Sequence, residues 1–448
     1  MKILKVVHSF IPYTTAGTEV YTYNLARELS KRINIFIFFR INEPKEKEYV
    51  LKNSSLGEIN LYSINNTFRK CKDFRQTYAN PIIDKIFGSL LNEIEPDIVH
   101  IQHLLFLSLG IVIEAKKRGI PVVFTLNDYW LLCHRGQLIK DDLSLCPYPS
   151  VDNCKVCIGG QLYIRKNTMF FYNLLRKNLP IFLLQTIKNL YLSYVRAALF
   201  NEDKVAKEVK DRFNYVKEVI SMVDTFIAPS NFIKDKFVIW GTPPERIIFS
   251  NYGLDYKRFP SILKTPSKKI RFGYIGTLLP TKGVDILIKA FKLLKNQSCE
   301  LLIYGRLIRY AGYEFYPKYL KNIAKDDRRI KFMGGFDNET IANTMANIDI
   351  LVVPSIWYEN SPLVIYEAFL SKTPVIASRI GGIPELVKDR INGLLFKPNN
   401  TKDLYEKMRL IVDNPYLIER MKENIRPPKS IEENAKEMEE IYANLCKK

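Results

Sequence analysis

Two successive series of short apolar runs, alternating with helical patterns, constrain the fold of this 448-residue chain most strongly. The runs of the first series are Ile3–Val7, Ile33–Phe39, Ile98–Ile101, Val122–Leu126 and Val223–Pro229. Those of the second are Lys269–Ile275, Glu300–Tyr304, Ile330–Met333, Ile350–Val353 and Pro374–Ala377. Short apolar runs separated by helices are typical of parallel strands buried on both faces. We therefore predict an α/β chain with two doubly wound, Rossmann-like domains that face each other across a cleft.

The predicted domain boundaries follow from these two series. The first domain covers residues 1–255 and the second residues 268–428, while the acid-rich end, 429–448, is predicted to be a helix that packs back on the first domain. The first domain also contains a cysteine-rich insert at 133–157 and a basic, aromatic, helical insert at 161–200. Because ligands bind at the carboxyl ends of parallel strands, we expect the ligand site in the cleft.

The segment Ile348–Glu385 is the clearest candidate for a binding site. A predicted strand leads into a loop with Glu359, and a helix follows in which Ser361 is expected to be the cap and Pro362 the first residue. A helix N-terminus at the end of a parallel strand binds anions, and the carboxylates of Glu359 and Glu367 can accept hydrogen bonds from sugar hydroxyls. Phosphate together with sugar describes a nucleotide-sugar, so this element predicts a glycosyltransferase.

Seven segments resemble those of one known family. They are FGYIGTLLPTKGVDILIKAF, LLIYG, IKFMGG, WYENSPLVIYEAF and SRIGGIPELVKDRINGLLF, supported by VDTFIAPSNF and NYGLDYKRF. They resemble glycosyltransferase family 4, whose members have the two-domain GT-B fold. The resemblance implies a hexosyltransferase that moves a sugar from a UDP- or GDP-linked donor with retention of configuration. It also implies that no catalytic metal is needed, and the sequence contains no Asp-x-Asp triplet, which metal-dependent transferases of the other fold generally need.

The resemblance also implies roles for residues on the donor side. Glu359 is expected to contact the donor sugar, Glu367 the ribose, and Lys282 the leaving diphosphate, where a cation stabilises the developing charge. Thr277 stands where many members carry Arg, so backbone amides or Arg306 are expected to complete the phosphate site, although Arg306 could equally be a surface residue. The other predicted donor-binding residues are Gly17, Gly276, Asn360, Ser361 and Leu363. Gly17 could also serve only a tight turn.

The acceptor side departs from the family pattern. The segment TLNDYWLLC has Asn127 where relatives often have His, and Asn can bind a hydroxyl but cannot carry a proton. Either Asn127 serves only in binding or another group, such as the leaving phosphate, takes the acceptor proton. We take Glu359, Lys282 and Asn127 as candidate catalytic residues. His100, His103 and Asp128 are candidates for the acceptor side, although a His on a strand is more often structural.

The cysteine-rich insert is a candidate for a structural metal site. Cys133, Cys146, Cys154 and Cys157 fall within 133–157, and the last two form a Cys-x-x-Cys pair. Four thiolates with such a pair can hold a tetrahedral zinc ion, which we favour slightly over a redox pair. Disulfides are unexpected in a cytosolic chain unless its source is a hyperthermophile.

The net charge of +20 directs attention to anionic partners. Residues 161–200 contain six basic side chains, no acidic ones and many aromatic ones, a composition typical of helices that lie on anionic membranes. A helical hairpin packed on its own domain is the equal alternative. No nucleic-acid-binding module accompanies the charge, so we expect no nucleic-acid partner.

Location and acceptor are predicted from the same features. The N-terminus MKILKVVHSF is typical of a first strand rather than of a signal peptide, and no apolar run is long enough to span a membrane. We therefore expect a cytoplasmic enzyme, peripheral on the inner face of the cell membrane, with a lipid-linked or cell-surface glycan as acceptor. Two alternatives share the fold: a nucleotide-sugar 2-epimerase, and a non-catalytic binding subunit.

Overall fold

The structure is a computed structural model that describes residues 1–140, 142–162, 202–259, 263–307, 313–336 and 340–447. The predicted basic, aromatic insert at 161–200 therefore lies outside the described residues, apart from residues 161 and 162.

Within the described residues, the first domain is built on an eight-stranded sheet. Its strands are β1 (Lys2–Val7), β2 (Asn34–Ile41), β3 (Leu51–Leu56), β4 (Ile59–Asn65), β5 (Ile98–Ile101), β6 (Val122–Thr125), β7 (Thr225–Ala228) and β8 (Ile247–Phe249). Their order in the sheet is β3-β4-β2-β1-β5-β6-β7-β8, and only β3 runs antiparallel to its neighbour. From Ile3 to Val7 the central strand β1 is buried on both faces, which explains why this stretch is continuously apolar apart from Lys5.

Helices cover both faces of this sheet. In the described part of the first domain they are α1 (Gly17–Leu29), α2 (Pro81–Ile94), α3 (Gly110–Lys116), α4 (Val151–Leu162), α5 (Glu202–Met222) and α6 (Asn231–Ile239). Alternate residues of β1 enter different cores, Leu4 and Val6 packing on the α2 side and Ile3 and Val7 on the α1 side.

The second domain has an all-parallel, six-stranded sheet. The strands are β9 (Ile270–Ile275), β10 (Cys299–Tyr304), β11 (Ile330–Gly334), β12 (Ile350–Val353), β13 (Val375–Ser378) and β14 (Gly393–Phe396), in the order β11-β10-β9-β12-β13-β14. Its helices in the described residues are α7 (Val284–Leu293), α8 (Tyr316–Ala324), α9 (Ile341–Ala346), α10 (Leu363–Leu370), α11 (Ile383–Leu386), α12 (Thr401–Asp413) and α13 (Tyr416–Glu423). The sheet order changes direction between β9 and β12, so the loops that follow these two strands border a crevice.

A last helix, α14 (Ile431–Cys446), leaves the second domain and packs against α1 and β1 of the first. Ser430 caps it, and Glu433 completes a capping box. Tyr442 is fully buried, and its hydroxyl lies 2.5 Å from Nδ1 of His100. The chain therefore crosses between the domains twice, once after β8 and once before α14.

The prediction for the start of α10 is wrong in two respects, the first helical residue and the capping group. The helix begins at Leu363 with Pro362 in the cap position, and no side chain caps it. The hydroxyl of Ser361 is instead hydrogen-bonded to the hydroxyl of Tyr366, at 2.7 Å. A partner within the fold has therefore replaced the local cap that the Ser-Pro pair predicts.

Within the described ranges, no helix has the length and apolar character needed to cross a membrane.

Candidate active site

The loop after β12 holds the buried carboxylate of Glu359 among three hydrogen-bond donors. Its Oε1 accepts from Lys282 Nζ at 2.7 Å, Ser355 Oγ at 2.6 Å and Trp357 Nε1 at 2.8 Å. Lys282 follows β9, and its ammonium also lies 5.1 Å from the centre of the Trp357 ring. The side chain of Lys282 remains 30% exposed. The structure thus brings together the two residues predicted to act on the donor sugar and its diphosphate.

Two glycines hold the backbone of Glu359 from behind. The N–H of Gly382 donates to the carbonyl oxygen of Glu359 at 2.7 Å. Gly381 has φ +60°, and a Cβ added to it would lie 2.1 Å from the same oxygen. Only glycine tolerates both the conformation and the contact. The Gly-Gly pair therefore supports the position of Glu359.

The start of α10 meets the first helix of the other domain. A Cβ added to Gly17, the first residue of α1, would lie 3.6 Å from Cδ1 of Leu363. In the first turn of α10, the N–H of Ile365 donates to the carbonyl oxygen of Pro362 at 3.0 Å, whereas those of Leu363 and Val364 lie before the first turn of helical bonds. Pro362 itself has no N–H to offer. Amides of this kind carry partial positive charge and attract anions. The predicted residues Gly17, Ser361 and Leu363 thus lie together where the two domains face each other.

Glu367, in the second turn of α10, is a buried acid. Its burial raises its pKa to about 7, and Arg258 in the segment that follows β8 opposes the shift. The carboxyl group therefore changes charge near neutral pH. A ligand that needs the ionised form to accept hydrogen bonds has to hold Glu367 deprotonated.

The loop after β9 approaches the loop after β10 closely. Gly276 has φ +148°, and a Cβ added to Gly305 would lie 2.1 Å from the carbonyl oxygen of Gly276. The carbonyl of Thr277 accepts a hydrogen bond from the Tyr274 hydroxyl at 2.8 Å. Arg306 is exposed, and its side chain lies over Gly335. Arg306 and Gly276 lie at the same edge of the sheet, but Arg306 makes no contact with Glu359 or Lys282 among those the structure records.

Asn127 is held by its own domain at both ends of its amide. Its Oδ1 accepts from Tyr252 Oη at 2.5 Å, and its Nδ2 donates to the carbonyl oxygen of Gln102 at 2.7 Å and to the Gln102 side chain at 3.3 Å. These contacts fix the loop after β6. They leave the Asn127 side chain with little capacity to bind an acceptor hydroxyl.

The prediction that His100 lies on the acceptor side is wrong. The ring is fully buried in the sheet. Its Nδ1 contacts Lys5 Nζ at 3.1 Å and the Tyr442 hydroxyl, and its Nε2 contacts Thr125 Oγ1 at 2.8 Å. His100 belongs to the strand β5 itself, so its side chain points into a helix-covered face rather than beyond the sheet edge.

His103, two residues after β5, does lie at the sheet edge. Its Nε2 is 2.8 Å from Oδ2 of Asp128, and its Nδ1 accepts from the N–H of Leu105. The rings of His103 and His8 are in contact, tilted by 59° with centroids 4.5 Å apart. His8 in turn places Nε2 3.2 Å from Oε1 of Glu19, in the first turn of α1. The structure thus pairs two of the predicted residues, His103 and Asp128, and joins them to a second acid–histidine pair.

His8 and Glu19 were not among the predicted site residues. The signal for His8 was its position directly after the first strand, where parallel-strand ligand sites occur. Nothing in the sequence pairs it with a residue 11 positions later, because Glu19 is read most simply as an acid near a helix N-terminus.

The four cysteines of the insert lie near one another. Cys133, Cys146 and Cys154 are buried. Burial raises the pKa of Cys154 to about 12, and the nearness of Cys133, Cys146 and Cys157 adds to the shift. In the part of the chain that the structure describes, no group of three or more His, Cys, Asp or Glu is placed to hold a metal ion. The zinc site therefore stays a prediction without support from these side-chain positions.

The cysteine-rich insert also reaches the second domain. Ile139 and Leu145 form an isolated bridge, and Ile139 and Leu143 pack into the core of the second domain, which Trp357 also contacts. Lys236 of α6 donates to the carbonyl oxygen of Pro147 at 3.3 Å and lies 5.1 Å from the centre of the Tyr358 ring. The insert thus contacts the loop that carries Glu359.

Polar contacts close the cleft beside this loop. Asn360 Nδ2 donates to the carbonyl oxygen of Leu126 at 2.7 Å, and its Oδ1 accepts from Ser230 Oγ at 2.6 Å. The carboxylate of Glu385 accepts from the backbone N–H groups of Asn231 and Phe232 at 2.8 and 2.7 Å. A cavity of about 220 Å³ lies between these contacts and is lined by residues of both domains. Asn360 is predicted to bind the donor through its main-chain amide, and its side chain is occupied in holding the domains together.

Two family models match the chain. The model described as "Glycosyltransferase Family 4" matches residues 15–145, and the model described as "Glycosyl transferases group 1" matches residues 255–427. The first lies within the domain that carries His8 and Asn127, and the second includes Lys282, Glu359 and Glu367.

Individual proteins show similarity over different lengths. The chain is 24% identical to an uncharacterized 42.6 kDa protein in the cps region of Klebsiella pneumoniae, over 86% of this chain and 87% of the relative. It is 35% identical to an uncharacterized glycosyltransferase of Methanocaldococcus jannaschii, over 34% of this chain and 40% of the relative. The crystal structure of Anabaena HepE in complex with UDP and glucose has a similar fold, with a TM-score of 0.64, 17% identity and 99% coverage of both chains.

Proposed function

We propose that this chain, which is a glycosyltransferase of the family 4 type with the GT-B fold, transfers a hexose from a UDP-linked donor to a glycan precursor with retention of configuration. The proposal is carried by one observation, the 2.7 Å contact between Lys282 Nζ and Glu359 Oε1 near the start of α10. A diphosphate needs a cation and partially positive amides, whereas a sugar needs a hydrogen-bond acceptor. All three kinds of group meet at this point.

The similar solved structures support a UDP-linked donor. Anabaena HepE has been solved with UDP and glucose, with UDP alone and with UDP-glucose. Because the identity is 17%, this likeness supports the fold and leaves the base and the sugar as parts of the proposal. A GDP-linked donor is the alternative that the experiment below separates.

In the proposed reaction, binding of the donor separates Lys282 from Glu359. The ammonium of Lys282 turns to the diphosphate and stabilises the charge that develops as the sugar leaves. Glu359 then accepts hydrogen bonds from the sugar, and Glu367, as a carboxylate, accepts them from the ribose. The acceptor hydroxyl attacks from the face that the nucleotide leaves, and domain closure keeps water out. Lys282 and the α10 amides supply the positive charge, so the proposal includes no catalytic metal.

The acceptor is proposed to be lipid-linked or part of a cell-surface glycan, reached at the inner face of the membrane. The support is the composition of residues 161–200 in the first domain, which is basic and aromatic without acidic residues.

A screen of nucleotide-sugars for thermal stabilisation tests the donor. We expect UDP-sugars to raise the melting temperature and the Lys282→Met variant to lose most of that increase, because its side chain keeps its length but not its charge. Stabilisation by GDP-sugars instead of UDP-sugars would indicate a GDP-linked donor. No stabilisation by any nucleotide would favour a non-catalytic subunit, and conversion of the free nucleotide-sugar without an acceptor would favour a 2-epimerase.

Sedimentation with anionic vesicles tests the membrane part. Replacing Arg165, Lys166, Arg176 and Lys177 with Gln should release the protein from vesicles that contain phosphatidylglycerol. A matched control removes four exposed lysines of the second domain (Lys295, Lys321, Lys325 and Lys402). Equal loss in both variants would indicate only a general charge effect and would contradict a dedicated membrane segment.

A further inference from the structure

The edge of the first sheet carries a charge arrangement that the donor site does not use. The carboxyl ends of the neighbouring strands β1, β5 and β6 lead to His8, His103 and Asp128, and α1 adds Glu19. Glu19 and His103 are buried, with side chains 2% and 6% exposed, whereas those of His8 and Asp128 are 21% and 26% exposed. Glu19 and His103 thus form the buried side of the cluster, and His8 and Asp128 form its partly exposed side.

The cluster lies between two contacts with the donor domain. On one side, a Cβ added to Gly17, two residues before Glu19, would lie 3.6 Å from Leu363 at the start of α10. On the other side, the carbonyl oxygen of Asn127, next to Asp128, accepts from Asn360 Nδ2 at 3.3 Å. Asn360 and Leu363 flank the predicted diphosphate-binding end of α10, so the cluster faces the region where the sugar would be transferred.

The contacts fix the tautomer of His8. Its Nε2 faces the carboxylate of Glu19, which also accepts from Thr14 Oγ1 at 3.1 Å, so Nε2 carries the hydrogen when the ring is neutral. Nδ1 of His8 is buried and, among the described residues, has no hydrogen-bond partner. The ring therefore keeps an unused lone pair, and the acid behind it stabilises the imidazolium that would form if it took a proton.

Charges around His8 support this state. Burial and the neighbouring His103 lower the pKa of His8, while Glu19 and Asp128 oppose the shift without reversing it. Burial alone would raise the pKa of Glu19. Hydrogen bonds from His8 and Thr14 outweigh burial and lower the pKa of Glu19 below its usual value. A neutral imidazole beside an ionised acid is the resting form of a general base.

We propose that His8 is the catalytic base for the acceptor hydroxyl, with Glu19 as its positioning residue, an assignment that rests on the proposed glycosyl transfer. The acceptor oxygen forms a bond to C1 of the sugar as the bond from C1 to the diphosphate oxygen breaks and its electron pair leaves with the nucleotide. The hydroxyl proton passes to Nδ1 of His8 and is later released to solvent. Asn127, whose amide is held by Tyr252 and Gln102, takes no proton.

His103 provides the matched control, because both of its nitrogens are engaged. Its Nδ1 accepts from Leu105 N–H and its Nε2 contacts Asp128, so the ring has no free lone pair to take a proton. Release of UDP from UDP-glucose, with water as the acceptor, is measured at saturating donor across pH 5–8 for wild type, His8→Gln and His103→Gln.

We expect His8→Gln to slow UDP release about 100-fold and to abolish the fall in rate at acidic pH. His103→Gln should keep that acidic fall even if its rate drops. Binding of UDP, measured by calorimetry, should be the same in wild type and His8→Gln. An unchanged rate in His8→Gln, or an acidic fall that survives the substitution, would overturn the assignment. If wild type does not bind UDP at all, the result would instead count against the proposed function.

A second measurement does not depend on the donor. The chain has four histidines, so nitrogen NMR of histidine-labelled protein yields few signals, and His8→Gln identifies one of them. We expect His8 to be neutral at pH 7, with hydrogen on Nε2 and none on Nδ1. A protonated Nδ1 at pH 7 would contradict its role as a base.

Discussion

Opposite charges in the donor half of the cleft contact each other when no ligand separates them. Glu359 is buried, and its Oε1 is held by Lys282, Ser355 and Trp357. Lys282 keeps part of its surface exposed. The buried acid is thus the fixed partner and the lysine the movable one. A diphosphate would then compete for the ammonium while the carboxylate stays in place for the sugar.

Replacing Glu359 with Gln tests this division of roles. The amide keeps the shape but cannot hold the lysine or accept as strongly from sugar hydroxyls, so we expect transfer to fall by about 100-fold or more. The melting temperature should change little, because Lys282 can reach water once its partner is neutral. UDP release and thermal unfolding are measured on the same samples. Activity near that of wild type would show that Glu359 is not in the site.

Glu367 predicts a pH dependence of donor binding. Its pKa of about 7 means that the carboxylate needed to accept hydrogen bonds from the ribose is the minor form at pH 6 and the major form at pH 8. If only that form binds, the Kd should rise about tenfold from pH 8 to pH 6. UDP-glucose is the suitable ligand for calorimetry, because it lacks the terminal phosphate ionisation of UDP. Glu367→Gln should bind weakly at both pH values. A pH-independent Kd in wild type would exclude this role.

How far single residues could be predicted depended on whether their partners are near in sequence. Glu359 and Glu367 share one strand-loop-helix unit, and Lys282 starts the equivalent unit on the neighbouring strand, so local patterns and the resemblance both pointed to them. The pairing of His8 with Glu19 and the burial of His100 under Tyr442 depend on how helices pack across the sheet. The residues next to these positions in the sequence show no pattern that would predict either contact.

Among the elements, ten strands were predicted within one or two residues of their bounds, whereas β3, β4, β8 and the fully buried β14 were not predicted. Residues Leu51–Leu56 of β3 are almost wholly exposed and mostly polar, since they form an antiparallel edge with one neighbour. Apolar runs reveal strands that are covered on both faces and say little about such an edge. The packing of the cysteine-rich insert could not be predicted from the spacing of its apolar residues, because Ile139 and Leu143 pack on the other domain.

The helix α14 covers a buried lysine, and this predicts a second pH effect. Lys5 Nζ lies 3.1 Å from His100 Nδ1 and 3.5 Å from the Tyr442 hydroxyl, and burial lowers its pKa to about 7. The unfolded chain holds this proton up to about 10.5, so between pH 7 and 10.5 the unfolded state binds more protons. The free energy of unfolding should therefore rise with pH in that window, by roughly 1 kcal/mol per unit.

The Lys5→Met variant isolates this contribution. Methionine has a similar length, and His100 Nδ1 keeps the Tyr442 hydroxyl as partner. We expect urea midpoints of wild type to increase relative to those of Lys5→Met between pH 7 and 9, since all other groups are shared. Parallel pH profiles for the two proteins would contradict a neutral, buried Lys5.

The whole molecule is confirmed as two doubly wound domains of a family 4-type glycosyltransferase, as the two series of apolar runs and the motif resemblance predict. What the sequence could not predict is the degree of closure between the domains. Closure depends on Asn360 with Leu126 and Ser230, and on Glu385 with two backbone amides. These residues come from distant parts of the chain and share no motif.

Asn360→Ala should open the cleft. The substitution removes three hydrogen bonds between the domains, worth about 1 kcal/mol each, while the apolar contacts of Leu363 and Ile139 remain. We expect a larger radius of gyration in X-ray scattering without ligand, reduced again by UDP. The control is Asn424→Ala, whose side chain bonds only to Arg420 of its own domain among the recorded contacts. Identical scattering from both variants would show that Asn360 does not determine closure.

The return of α14 to the first domain has a consequence for synthesis on the ribosome. Residues 1–255 contain the whole first sheet, but its α1 face gains Met438 and Tyr442 only after the second domain has been made. Until then, Lys5 and His100 face water in the nascent chain. The first domain therefore begins folding early and is completed last, so a released chain that ended at residue 428 would hold a finished second domain beside a first domain still exposing an apolar surface.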